Sequence, residues 1–101
     1  MAVQPYSATA PIKALAGTAA NPGVTFTGDA DSGLFSPGAN QVGITTGGTQ
    51  RLLIGADGTI TLANSISVPL ASAAAPSIYF GTDTDTGLYS PGADQVAIST
   101  N

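Results

Sequence analysis

From Gly23 onward, large apolar residues recur at every second position. Val24 and Phe26 alternate with Thr25 and Thr27, and Val42 and Ile44 alternate with Gln41, Gly43 and Thr45. The pairs Leu52/Ile54, Ile60/Leu62, Ile78/Phe80 and Val96/Ile98 continue the pattern, as do Ile66, Val68 and Leu70. A period of two is the signature of half-buried β-strands. Turn chemistry separates the runs, at residues 28–33, 36–40, 47–48, 55–58 and 63–64. In Ser36-Pro-Gly-Ala-Asn40, Pro presets φ and Gly accepts a positive φ, so a turn is expected there. Asp57-Gly58 predicts a tight hairpin between residues 52–54 and 59–62. The run at 65–70 predicts a strand ended by Pro69. The chain is therefore expected to be all-β, with short strands at even spacing.

Residues 1–21 break the pattern. They are rich in Ala, Pro and Thr, and Pro5, Pro11 and Pro22 interrupt any long helix. The larger apolar residues Val3, Tyr6, Ile12 and Leu15 show no clean period. One helical turn is expected over 12–16. Two readings of the segment stand: a loose terminus, or an extended arm that orders against a partner.

The alternating part says nearly the same thing twice. Residues 22–46 return as residues 76–100 at a constant offset of 54, with 14 of 25 positions identical. A repeat this long predicts one structural unit per copy, stacked on the next. The organisation expected is an extended arm at 1–21, a first β unit with its linker at 22–75, and the start of a second unit at 76–101. The linker is expected at 71–75, which parallels 17–21. The first copy runs on through Gly48-Thr-Gln-Arg-Leu-Leu-Ile54 while the second stops at Asn101, so the chain reads as a piece of a longer repetitive protein.

Each strand contributes only two or three large apolar side chains. One unit alone buries little surface, and domains this small are marginal. Stacking repeats along an axis, or sharing one core among several chains, supplies the rest. A trimer of meandering strands does both and covers its sheet edges.

Charge narrows the function classes. Lys13 and Arg51 face six aspartates, with no Glu and no His, and 8% of residues are charged. Ordinary domains carry about 25%. A net charge of -4 with two cations argues against nucleic-acid binding, which requires Lys and Arg to displace counterions. Cysteine is absent, so disulfides and thiolate zinc sites are excluded. The opening residues lack the pattern of a secretory leader, and no stretch approaches the length of a membrane-spanning helix.

The candidate chemistry centres on Asp29-Ala-Asp31-Ser-Gly33 and Asp83-Thr-Asp85-Thr-Gly87. Alternating Asp before Gly matches the start of a calcium loop, which makes Asp29, Asp31, Asp83 and Asp85 candidate ligands for a weakly held ion. The distal Glu of such a loop is missing, and an Asx-type turn is the favoured reading. As a glycosidase pair these carboxylates lack a buried acid with a raised pKa. Ser36 and Ser90 have no His base. No catalytic residue, metal or cofactor is assigned, and an enzyme is not expected. Phe35 and Tyr89 occupy matching positions and read as packing residues. Arg51 is expected to pair with an Asp of a neighbouring chain.

The stretch Pro76 to Thr100, together with Gly48-Thr-Gln-Arg-Leu-Leu-Ile54 and Gly55-Ala-Asp-Gly58, resembles repeats of bacteriophage and prophage tail fibres. The resemblance covers residues 22–101. It implies a slender, homotrimeric β-structured shaft whose receptor-binding and chaperone regions lie further along. The expectation is then a structural, non-enzymatic virion protein: the tail-proximal shaft that links the tail or baseplate to a distal host-binding tip. Its partners would be itself and, through Val3, Tyr6, Ile12 and Leu15, a tail protein, with neither nucleic acid nor membrane. Two alternatives remain open. The shaft itself binds a surface glycan through Tyr79, Tyr89 and the Asp turns, or the chain belongs to a bacterial surface fibre or adhesin.

Overall fold

The computed structural model describes residues 11–100. It is all-β, with antiparallel sheets of short strands and no helix among the described residues. The chain divides into two units, one ending at Ser65 and the other beginning at Ile66.

The first unit is a five-stranded meander of β1 (Val24–Phe26), β2 (Asp29–Phe35), β3 (Val42–Thr46), β4 (Thr49–Ile54) and β5 (Ile60–Leu62). Each strand pairs with the next in sequence, so every connection is a hairpin. The β3–β4 turn is Gly47-Gly48, with φ of 58° and 76°. Two successive positive φ angles suit the right-handed twist of a hairpin, and glycine adopts them without strain. The second unit is a three-stranded meander of β6 (Ile78–Phe80), β7 (Asp83–Tyr89) and β8 (Ala97–Thr100).

The two units match position for position at the 54-residue offset. Leu34 lies opposite Ile44 as Leu88 lies opposite Ile98, and both outer hairpins shift register one residue before a phenylalanine, Phe26 or Phe80. Ser36 Oγ donates to Gly38 O at 2.8 Å, and Ser90 Oγ donates to Gly92 O at 2.6 Å. Asn40 and Asp94, the last residues of the Ser-Pro-Gly-Ala turns, have φ of 62° and 59°.

The match extends upstream of the prolines where the sequence repeat begins. The Ser36 amide donates to Ala16 O and the Ser90 amide to Leu70 O, both at 2.8 Å. Thr18 and Asn21 exchange backbone hydrogen bonds, as do Ser72 and Ala75. Residues 71–75, read from the sequence as a link between units, are thus bonded within the second unit, as residues 16–21 are within the first.

Four local expectations are corrected. Residues 12–16 form no helical turn, because the chain is drawn out to bring Ala16 O to Ser36 N. The turn expected over 28–33 shrinks to Thr27 and Gly28, and Asp29–Phe35 is strand β2. Pairing with neighbours on both sides outweighs the weak strand preference of Asp, Ser and Gly. Residues 65–70 alternate like a strand but pair with none, so they stay irregular. The β4–β5 hairpin is present, but its loop spans residues 55–59, closed by the Gly55 amide on Thr59 O at 2.9 Å.

The core is small and unusual in its contents. Phe35 is the one large apolar side chain buried among the described residues. Its buried companions on the same face of the sheet are Gly33, Gly43 and Thr45. Thr45 is 1% exposed, and its Oγ1 lies 2.9 Å from both Ala19 O and Thr49 O. The segment before β1 therefore covers this face. Phe35 lies opposite Gly43, where an added Cβ would fall 2.5 Å from the ring. The second unit replaces the pair by Tyr89 opposite Ala97, and both become half-buried.

Candidate functional site: an uncovered aliphatic face

Residues directly opposite in an antiparallel ladder project to the same face. Following the register across the first sheet gives one unbroken row: Val24, Leu34, Ile44, Leu52 and Leu62. A second row on this face runs Val42, Ile54 and Ile60. None of these eight side chains is charged, and all are at least partly exposed in the single chain. Leu34 is 44% exposed and Ile44 40%. The opposite face, which carries Gly33, Gly43 and Thr45, is the covered one. The sheet thus buries Phe35 among small residues on one face and leaves its aliphatic rows at least partly exposed on the other, the reverse of a self-sufficient domain.

The second unit repeats the arrangement. Ile78, Leu88 and Ile98 form the corresponding row, and they are 46%, 40% and 72% exposed. At the end of each face lies an apolar notch. In the first unit Leu15 and Ala16 line it with Val24, Leu34 and Val42. In the second, Pro69 and Leu70 line it with Ile78, Leu88 and Val96. Contiguous exposed apolar surface of this kind marks an interaction site.

Strand glycines hold the rows in register. An added Cβ at Gly33 would fall 1.7 Å from Val24 O, and one at Gly87 would fall 1.7 Å from Ile78 O. The two strands approach too closely there for any side chain, and Gly33 also has a φ of 155°. Sequence reading used these glycines only as turn markers. Isolated Gly within an apolar alternation signals close backbone approach, and that signal was present. Equally, the aliphatic rows were legible as strands but unrecognised as a site, because alternation does not reveal which face is covered.

The other candidate residues are distributed as follows. Asp29 and Asp31 lie in β2, and Asp83 and Asp85 in β7. The described residues hold no group of three or more acidic, His or Cys side chains placed to bind a metal. The Asx-type cap appears elsewhere, at Asp57, whose Oδ1 accepts from the Thr59 amide at 3.0 Å. The backbone and hydroxyl of Thr59 hold the Asp57 carboxyl below its ordinary pKa. Arg51 bonds within its own chain, to Thr46 Oγ1 at 2.9 Å and Asn64 Oδ1 at 3.2 Å. Tyr79 is 51% exposed and Tyr89 half-buried. Ile12 and Leu15 are 74% and 86% exposed, while Val3 and Tyr6 lie outside the described residues.

Compared with known proteins, the chain matches no family model, no curated protein and no solved structure.

Proposed function

We propose that the chain is a segment of a homotrimeric fibre shaft, a structural part with no enzymatic role. The observation that carries this reading is the aliphatic row Val24–Leu34–Ile44–Leu52–Leu62, uncharged and uncovered in the single chain, with its counterpart in the second unit. Hydrophobic association is driven by apolar area removed from water, at about 25 cal/mol per Å². Three copies, each turning one sheet face inward, close a prism lined by these rows and leave no aliphatic face in water. Repetition of the row every 54 residues extends that lining along an axis. Length and stiffness are then the working properties of the segment.

The resemblance to tail-fibre repeats gives the setting: a virion, with the shaft linking the tail or baseplate to a distal host-binding tip. Ile12 and Leu15, exposed at the entry to the first unit, join Val3 and Tyr6 as the residues proposed to dock on a tail protein. Deletion of residues 1–15, which removes all four and spares the bonds that Ala16–Asn21 make to the first sheet, tests the docking. Fibres lacking them attach to tails at much reduced occupancy, and normal occupancy refutes it. The shared interior is tested by Ile44→Asp, which places a charge in the middle of the row. Light scattering is expected to show the assembly falling to monomers. An unchanged mass sinks the reading.

A further inference from the structure

The side-chain carbonyl of Asn or Asp is open to attack by the backbone nitrogen of the next residue, which closes a cyclic imide. A small following residue favours the step. By sequence Asp57-Gly58 is the first candidate, and the structure shields it. The Asp57 carboxylate accepts from the Thr59 amide at 3.0 Å and is held below its ordinary pKa. An ionised carboxylate offers no good leaving group. The Gly58 amide is itself engaged, donating to Gly55 O at 2.9 Å. Asn21 precedes Pro22, whose nitrogen carries no proton to lose. Asn40 precedes Gln41, whose amide donates to Gly38 O at 3.3 Å.

Asn64-Ser65 is arranged differently. Arg51 is the extra residue of a bulge in β4, since Ile44 lies opposite Leu52 and Thr45 opposite Gln50. Its carbonyl accepts from the Ala63 amide at 2.9 Å. Its Nε donates to Thr46 Oγ1 at 2.9 Å, which anchors the guanidinium, and its Nη1 donates to Asn64 Oδ1 at 3.2 Å. One residue therefore holds both the backbone before Asn64 and the Asn64 side chain. The Ser65 amide donates to no backbone carbonyl among the described residues. Asn64 and Ser65 are both exposed, so water reaches them.

We propose that Asn64 is a self-modification site, converted to aspartate or isoaspartate, with Arg51 polarising its amide. The Ser65 amide gives its proton to solvent base, and its nitrogen bonds to Asn64 Cγ. Negative charge builds on Oδ1, where the guanidinium already donates. The Cγ–Nδ2 bond then breaks, and the nitrogen takes a proton from water and leaves as ammonia. Water adds to either carbonyl of the imide and opens it. Opening at the side-chain carbonyl gives aspartate. Opening at the main-chain carbonyl gives isoaspartate, with one more methylene in the backbone. Either product turns the neutral acceptor of Arg51 into a carboxylate. The site depends on contacts within one chain and stands independently of the trimer.

The test incubates the intact chain in mildly alkaline, heavy-oxygen water and maps the digested peptides by mass spectrometry, separating aspartate from isoaspartate. Asn64 is expected to convert at least about threefold faster in the chain than in a free peptide of residues 60–69, which has the same local sequence and lacks Arg51. In the chain, Asp57 and Asn40 are expected to lag behind Asn64. Arg51→Gln, with its fold checked by circular dichroism, is expected to slow Asn64 at least about threefold. A chain rate less than about threefold above that of the peptide, an unchanged rate in folded Arg51→Gln, or modification led by Asp57 or Asn40 would each overturn the proposal. The peptide comparison uses only the parent chain, so it decides the matter even where the variant fails to fold.

Discussion

Thr45→Val tests how the segment before β1 is tied to the first sheet. The substitution keeps the shape of the side chain and its suitability for a strand, and replaces only the hydroxyl by a methyl. Thr45 is 1% exposed, with Ala19 O and Thr49 O both at 2.9 Å. A hydroxyl carries one hydrogen, so it donates to one carbonyl at a time and stays close to the other. Its loss costs about 1–3 kcal/mol for a buried carbonyl left without its donor. The added methyl offsets about 0.8 kcal/mol of that. The net loss of about 0.2–2.2 kcal/mol, centred near 1 kcal/mol, corresponds to a fall in Tm of roughly 1–18 °C for a chain of this size. Circular dichroism melts at one fixed protein concentration measure it, since assembly makes Tm concentration-dependent. Amide exchange at residues 18–21 localises it. Thr45→Ser retains the hydroxyl, as Ser99 does, and is expected to keep that segment protected. If Thr45→Val melts within about 2 °C of the parent and exchange at 18–21 is unchanged, the hydroxyl does not tether the segment.

Four further outcomes follow from particular positions. Gly33→Ala places a Cβ 1.7 Å from Val24 O, so β1 must move; a loss of at least about 2 kcal/mol in urea unfolding is expected. Gly43→Ala meets only the Phe35 ring, and the second unit already holds Ala97 beside Tyr89, so it is expected to cost less than about 1.5 kcal/mol. Ala71 has a φ of 60° where its counterpart Gly17 has 66°. Ala71→Gly is therefore expected to stabilise by about 0.5–1 kcal/mol, the relieved left-handed strain less the entropy of a freer unfolded chain. Asp57 is held below its ordinary pKa by Thr59, so its contribution is present above about pH 4, the unfolded value, and is lost as pH falls through the folded one. Asp57→Asn is expected to flatten the acid limb of the stability profile, which melts between pH 2 and 6 report.

Much of the fold was legible in the alternation. Every apolar pair that became a strand was visible as one, and the Gly47-Gly48 hairpin follows from composition. Three failures share a physical cause: pairing partners decide strands, and partners are distant in sequence. Asp29–Phe35 is written in turn residues yet lies between two strands, which hold it extended. Residues 65–70 are written as a strand and find no partner. The upstream limit of each unit was hidden because its bonds run from backbone carbonyls, Ala16 O and Leu70 O, and these carry no side-chain signature. The candidate site was half legible. Sequence placed the aliphatic residues on strands, and only the register showed that Val24, Leu34, Ile44, Leu52 and Leu62 form one continuous row. That the single chain covers the opposite face, which carries Phe35, Gly33, Gly43 and Thr45, could not be read from alternation, because both faces alternate equally.

The exposed rows lack a cover in the single chain, and copies of the same chain are proposed to supply it. Native mass measurement of the intact 101-residue chain tests that most directly. A trimer that dissociates on Ile44→Asp is expected. A monomer that remains soluble with its aliphatic faces in water would contradict it.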